Sequence, residues 1–379
     1  MSGYQYYAFQ AIDRPLGEAD RQALRALSTR AQITATSFTN SYEWGDFKGN
    51  PVELMRRWFD FHLYLANWGT RQLIFRLPKR LVGRDRLDGF LRDVDCAELE
   101  VSGENLIVHI LREETVPDDG WEDGSGWFAD LMPLRAEVLA GDLRLFYLVW
   151  LMAVEADAVE PGATEPLPGI GPMTEALEAF ADFFQIDPDL VAAAAERSAD
   201  PLAGKPLSSV AARRIVAELT DGEKTELLMR LFEDDPHVGN ELRARVRNRL
   251  ISETAAPPVA PRTVGELRAS AEAIRLARER TAAEEAAAER KRQEEEAERS
   301  RRARLDVLMR RGQNVWREIE ADIESRQPKG YDSAAGLIFD LNAIAEEQGT
   351  IEDFNRRLQA IRERHANKRR FIERLTGLR

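Results

Sequence analysis

A single cysteine and four scattered histidines leave this 379-residue chain poorly supplied for metal or redox chemistry. Cys96 alone rules out an internal disulfide and any cysteine-rich zinc site. No GxxxxGK[ST], no GxGxxG after a strand and no GxSxG occurs, so neither a phosphate cradle nor a nucleophile elbow is encoded. PGIGP is turn punctuation. The most apolar window, LRLFYLVWLMAVEAD, is well short of the 18 or more residues that suggest a membrane span. MSGYQYYAFQ lacks a basic region followed by an apolar one, so no export signal is expected. These absences lead to the expectation of a bacterial-type cytoplasmic protein with no cofactor, no bound metal, no membrane association and no enzymatic activity.

Charge is present in quantity and unevenly placed. Residues 1–262 hold 28 Lys and Arg against 43 Asp and Glu, whereas residues 263–379 hold 25 against 23. Residues 356–379 alone carry nine basic residues against two glutamates. The body repels polyanions on average, and the tail attracts either a polyanion or the protein's own acidic body.

The first 128 residues mix β-leaning and helical patterns. YQYYAFQAI, ITATSFTNSYEW and RQLIFRLP read as strands, and AELEVSGENLIVHILRE as a hairpin turning at Ser102–Asn105. NPVELMRRWFDFHLYLAN reads as one amphipathic helix capped by Asn50, with Pro51 in its first turn. Leu54, Trp58, Phe61 and Leu65 form its apolar stripe, and Glu53, Arg56, Arg57 and Asp60 its polar face. On that reading Gly69 follows the helix end, and Trp44 and Trp68 clamp its two ends. The charges beside them, Glu43, Asp46, Lys48 and Arg71, are where a protein partner would be sought first.

Beyond residue 128 the β signal disappears. The expected organisation is an α+β domain over 1–128, a mainly helical domain over 129–254, a proline-rich linker over 255–263, a long charged helix over 264–327 and a basic helical hairpin over 328–379. Asp187 before Pro188, and Thr220 before Glu223, are helix-start signals. The middle of the long helix has no apolar side chain larger than alanine. It therefore has no a/d seam and reads as a solvated single helix laced with i,i+4 pairs such as Lys291–Glu295. In the hairpin, Asp332 reads as the cap of a first helix ended by Gly349, and Thr350 as the cap of a second carrying Phe354, Leu358, Ile361 and His365.

His62 reads as a core histidine rather than a general base, since no carboxylate, cysteine or second histidine accompanies it. VPDDGWEDGSGW places Asp118, Asp119, Glu122 and Asp123 in one loop without the order of a calcium loop, and reads as a mobile acidic turn. The basic residues are the main anomaly. Arg301, Arg302, Arg304, Arg310 and Arg311 on the long helix, with Arg356, Arg357, Lys368, Arg369 and Arg370 near the end, are candidates for neutralising phosphates.

YDSAAGLIFDLNAIAEEQGTIEDFNRRLQAIRERHANKRRFIERL, residues 331–375, resembles the helical tail of bacterial SWIM zinc-finger proteins through Tyr331, Ala334, Leu341, Phe354, Leu358, Arg362, His365, Lys368 and Phe371. The resemblance implies DNA or protein partners. The Cys/His zinc module of that family is missing here, so zinc and its mode of DNA binding do not carry over. The remainder is similar to a family of uncharacterised bacterial proteins, which implies no chemistry. Taken together, the expectation is a multi-module interaction or adaptor protein, an accessory subunit of a nucleic-acid-handling or defence assembly. The alternatives are direct nucleic-acid binding by the tail, and an enzyme whose site is assembled from distant residues.

Overall fold

The computed structural model describes residues 3–43, 45–92, 94–113, 115, 124–198, 202, 208–253 and 259–378. Trp44 and the acidic quartet Asp118, Asp119, Glu122 and Asp123 lie outside the described residues. The chain divides into two compact units, Met1–Arg278 and Glu279–Arg379.

The first unit is built on an antiparallel sheet of seven strands, β1 (Gln5–Gln10), β2 (Gln32–Ile33), β3 (Ser37–Tyr42), β4 (Phe61–Ala66), β5 (Arg71–Pro78), β6 (Ala97–Ser102) and β7 (Asn105–Arg112). Their order across the sheet is β2-β3-β1-β4-β5-β7-β6. Side chains alternate between the faces. Tyr6 and Ala8 of β1, Phe61, Leu63 and Leu65 of β4, Leu73 and Phe75 of β5, and Val108 and Ile110 of β7 join one core. Tyr7, Phe9, Ile74 and Ile107 join another on the opposite face. Helices α1 (Glu18–Leu27) and α2 (Pro51–Arg57) cover that second face through Leu24, Leu54 and Met55.

The helix expected over 50–67 is therefore two elements. Asn50 does cap a helix, accepting from the N–H groups of Val52 and Glu53, but that helix ends at Arg57. Phe61, Leu63 and Leu65 are two apart, and β4 pairs with β1 on one side and β5 on the other. Phe61 and Leu65 satisfy an i,i+4 stripe as well as a strand alternation, and the two neighbouring strands decide the matter. Gly69 consequently sits in the β4–β5 turn with φ +97°, and a Cβ there would come within 2.3 Å of the Thr115 carbonyl oxygen. Trp68 is not a buried clamp: it is 49% exposed at that turn. A helix not legible in the sequence, α3 (Arg84–Leu91), buries Leu87 and Phe90 between β5 and β6 in the chain.

The first core is completed by α4 (Ser125–Leu131), α5 (Pro133–Leu139), α6 (Arg144–Glu155), α7 (Glu175–Phe183) and α8 (Pro188–Ala195). Helix α6 is buried on every side from Arg144 to Val154, as its nearly uniform apolar sequence requires. Three further helices follow, α9 (Ser209–Glu218), α10 (Asp221–Phe232) and α11 (Val238–Glu253). The expected start signals hold: Asp187 accepts from Asp189 and Leu190, and Thr220 and Glu223 form a reciprocal capping box.

The proline-rich stretch ends in a fastening. Its residues 255–258 lie outside the described residues, but Arg262 is buried. The fully buried Glu165 carboxylate accepts from the Tyr147 hydroxyl at 2.6 Å and from the Arg262 backbone N–H at 2.8 Å and its Nη2 at 3.2 Å. Helix α12 (Val264–Arg311) begins there, and Val264, Leu267 and Ala271 enter the core of the first unit. Its middle is exposed, with Arg280–Glu284 and Lys291–Glu295 pairs along it.

Charges buried at one end of the sheet hold α5 and α11 in place. Asp60, assigned to a solvent face by the helical reading, is fully buried. It accepts from the backbone N–H groups of Ile12 at 2.6 Å and Asp13 at 2.9 Å, and from Arg76 Nε at 2.9 Å. Arg135 of α5 donates to both oxygens of Asp13 at 2.9 and 2.6 Å, and His237 Nε2 lies 3.1 Å from Asp13. Burial pushes the Asp13 carboxyl up, but the hydrogen bonds from His237 and Arg135 outweigh it and hold the group well below the usual carboxylate range.

The second unit is a small helical bundle. Leu305 and Leu308 from the end of α12 pack with α13 (Gln313–Glu324), α14 (Pro328–Gln348), α15 (Ile351–Arg364) and α16 (Arg369–Ile372). The long helical run is thus interrupted at Gly312, whose φ of +55° ends α12. Asp332 lies inside α14, not at its cap: the helix begins at Pro328, where proline's missing N–H costs nothing. Gly330 allows the start of α14 to approach the end of α13, since a Cβ there would lie 2.6 Å from the Asp322 carbonyl oxygen. Gly349 ends α14 in the left-handed conformation, as expected.

Candidate anion-binding cleft

Four segments of the second unit converge on one concavity. The α13–α14 turn brings Arg326, the first turn of α14 brings Pro328 and Tyr331, the end of α15 brings Arg364 and His365, and the α16 segment brings Lys368, Arg369, Arg370 and Arg374. The cleft has a volume of about 840 Å³, and its lining contains six lysine or arginine side chains and no carboxylate.

Three of these cations are already engaged at its edges. Arg364 pairs with Glu320, Lys368 Nζ donates to the Ile323 carbonyl at 3.0 Å, and Arg374 pairs with Asp332. Arg326, Arg369 and Arg370 are exposed and have no ionic partner among the described residues. Arg326 holds a left-handed backbone at φ +55°, an uncommon conformation for a non-glycine residue, and so is set at the helix junction rather than within a helix. His365 is buried beneath the cleft, its Nε2 3.2 Å from Glu320. Tyr331 is also mostly buried, with the Arg374 guanidinium 5.9 Å from its ring centre. The exposed lining is therefore charge and not aromatic surface.

Of the residues singled out in the sequence, the cleft gathers Lys368, Arg369 and Arg370. It adds Arg364, which belongs to the same basic run of the C-terminal residues, and Arg326 and Arg374, which no local pattern marks. Arg356 pairs with Asp353, and Arg357 lies 5.6 Å over the Trp316 ring in a separate groove that also contains Glu320 and Glu324. On α12, Arg304 pairs with Asp340 and Arg311 with Glu318, while Arg301, Arg302 and Arg310 are exposed. None of these five lines the cleft.

In the first unit, Glu43, Asp46 and Lys48 are exposed, and Asp46 accepts from Gln5. Arg71 does not join them. It is buried, donates to the Phe183 carbonyl and stacks near that ring, because as the first residue of β5 it faces α7. Among the described residues, no group of three or more His, Cys, Asp or Glu side chains is placed to hold a metal, and no helix is long and apolar enough to cross a membrane.

His62 is fully buried in β4, stacked on Phe9 and near Tyr7. Its Nδ1 donates to the Ala8 carbonyl at 2.9 Å, and the Gln72 amide bridges its Nε2 to His109. Burial lowers its pKa from 6.5 to about 3, with Ala8 and Gln72 offsetting this in part. The unfolded chain therefore takes up a proton that the folded chain refuses. This contribution to stability is intact above pH 6.5 and is lost as pH falls towards 3, at about 1.4 kcal/mol per pH unit. Chemical denaturation at pH 7 and at pH 5 checks it: a His62→Gln variant is expected to lose less stability on acidification than the parent.

No protein-family model matches this chain, and no curated protein or solved structure matches it.

Proposed function

We propose that this is an interaction protein whose C-terminal unit holds a nucleic-acid backbone in the basic cleft. The observation that carries the reading is a concavity lined by Arg326, Arg364, Lys368, Arg369, Arg370 and Arg374 without one carboxylate. Like charges brought together repel, and phosphates relieve that repulsion while releasing their own counterions. Guanidinium groups present paired donors that match phosphate oxygens. With the one lining tyrosine mostly buried, contacts are to the backbone and carry no sequence preference.

The test uses the full chain and fluorescein-labelled 20-mer DNAs of two unrelated sequences, single- and double-stranded, at 50 mM salt. Binding is expected to be similar for the two sequences. A variant carrying Arg326→Gln, Arg369→Gln and Arg370→Gln should bind at least ten-fold more weakly. No binding by the parent, or equal binding by the variant, overturns the reading.

A further inference from the structure

Helix α10 is stabilised at its start and, among the described residues, leaves large apolar side chains uncovered at its end. The Thr220–Glu223 capping box secures the first turn, and Leu227 is its one buried residue, in a helix that packs on α11. The last five residues then expose Leu228 (65%), Met229 (49%), Leu231 (59%) and Phe232 (81%). Leu228 lies three and four residues before Leu231 and Phe232, so these three share one face of the helix, and Met229, three before Phe232, extends it on one flank. Arg230, the exception in this run, turns away to Asp235 and Glu241 at 2.9 and 2.7 Å. Single exposed apolar side chains are ordinary, but four large ones on the last turns of one helix form a contiguous patch of the kind that marks an interaction site.

The charge around the patch says what covers it. Glu226, Glu233 and Asp234 are exposed and have no ion pair among the described residues. Lys224, the remaining cation of α10, points back to the Ala217 carbonyl at 3.2 Å. A second copy of this chain would set the same acidic rim against itself across a two-fold axis, which like-charge repulsion opposes. A helix with an apolar ridge flanked by Lys and Arg meets both parts of the surface.

We infer that the C-terminal half of α10 docks a basic amphipathic helix of a partner protein. This inference is independent of the cleft in the second unit.

The probe is a synthetic 18-residue amphipathic Leu/Lys helical peptide, with the Leu/Glu peptide of the same pattern as its counterpart, titrated into the full chain. The Leu/Lys peptide is expected to bind, and the Leu/Glu peptide not to. Combining Leu228→Ser with Phe232→Ser should weaken binding at least ten-fold with the melting temperature unchanged. Combining Glu226→Gln, Glu233→Gln and Asp234→Asn should weaken it several-fold. Equal binding to the Ser variant means general attraction to an acidic protein and overturns the inference. So does a parent that sediments as a dimer which the Ser variant abolishes, and so does a Ser variant that melts markedly lower, since the chain itself would then cover the face.

Discussion

Asp60→Ala is expected to destabilise the first unit by about 3–5 kcal/mol, the range for removing one partner of a buried ion pair. The carboxylate is fully buried and answers two backbone N–H groups as well as Arg76. Its removal takes the acceptor from those part-buried donors, leaving Arg76 only the Met55 carbonyl. It also leaves Arg135, whose Nη2 lies 3.7 Å away, with Asp13 as its carboxylate partner. Asp60→Asn keeps an acceptor for one or two of these donors and is expected to cost less than half as much. Urea unfolding followed by tryptophan fluorescence measures both; a loss under 1 kcal/mol for Asp60→Ala would show that the network is not the support described.

Salt dependence provides the second large effect. With Arg364, Lys368 and Arg374 already engaged, the three unengaged arginines neutralise about three phosphates on duplex DNA, and affinity is expected to fall roughly 40-fold between 50 and 200 mM salt. Each neutralised phosphate contributes about 0.9 to the slope of log affinity against log salt. Substituting Arg326, Arg369 and Arg370 by glutamine should therefore flatten the slope by roughly 2–3. Substituting Arg301, Arg302 and Arg304 on α12 should change it little, because none of them lines the cleft and Arg304 is engaged by Asp340 at 2.6 Å. The reverse pattern would move the interface to the long helix and leave the cleft without a role.

How much of this was legible depends on the kind of signal. The β6–β7 hairpin, the caps at Asn50, Asp187 and Thr220, the all-round burial of α6 and the solvated middle of α12 all follow from local spacing. Residues 58–65 do not, because their apolar positions satisfy both a helical and an extended period. The cleft was half visible. Arg364, Lys368, Arg369 and Arg370 stand out as a run of charge, whereas Arg326 lies 42 residues before Lys368 and meets it only when the helix junctions converge.

The sequence by itself determined the class of fold, the places where most helices start and stop, and the contrast between an acidic body and a basic end. These depend on interactions within a few residues. Tertiary structure alone decided that Phe61–Ala66 is a strand, that Asp60, Arg71 and Arg262 are buried, and that six scattered cations face one cleft. A strand is stabilised by neighbours distant in the chain, and a charge can be buried only where distant partners answer it. Local pattern carries neither kind of information.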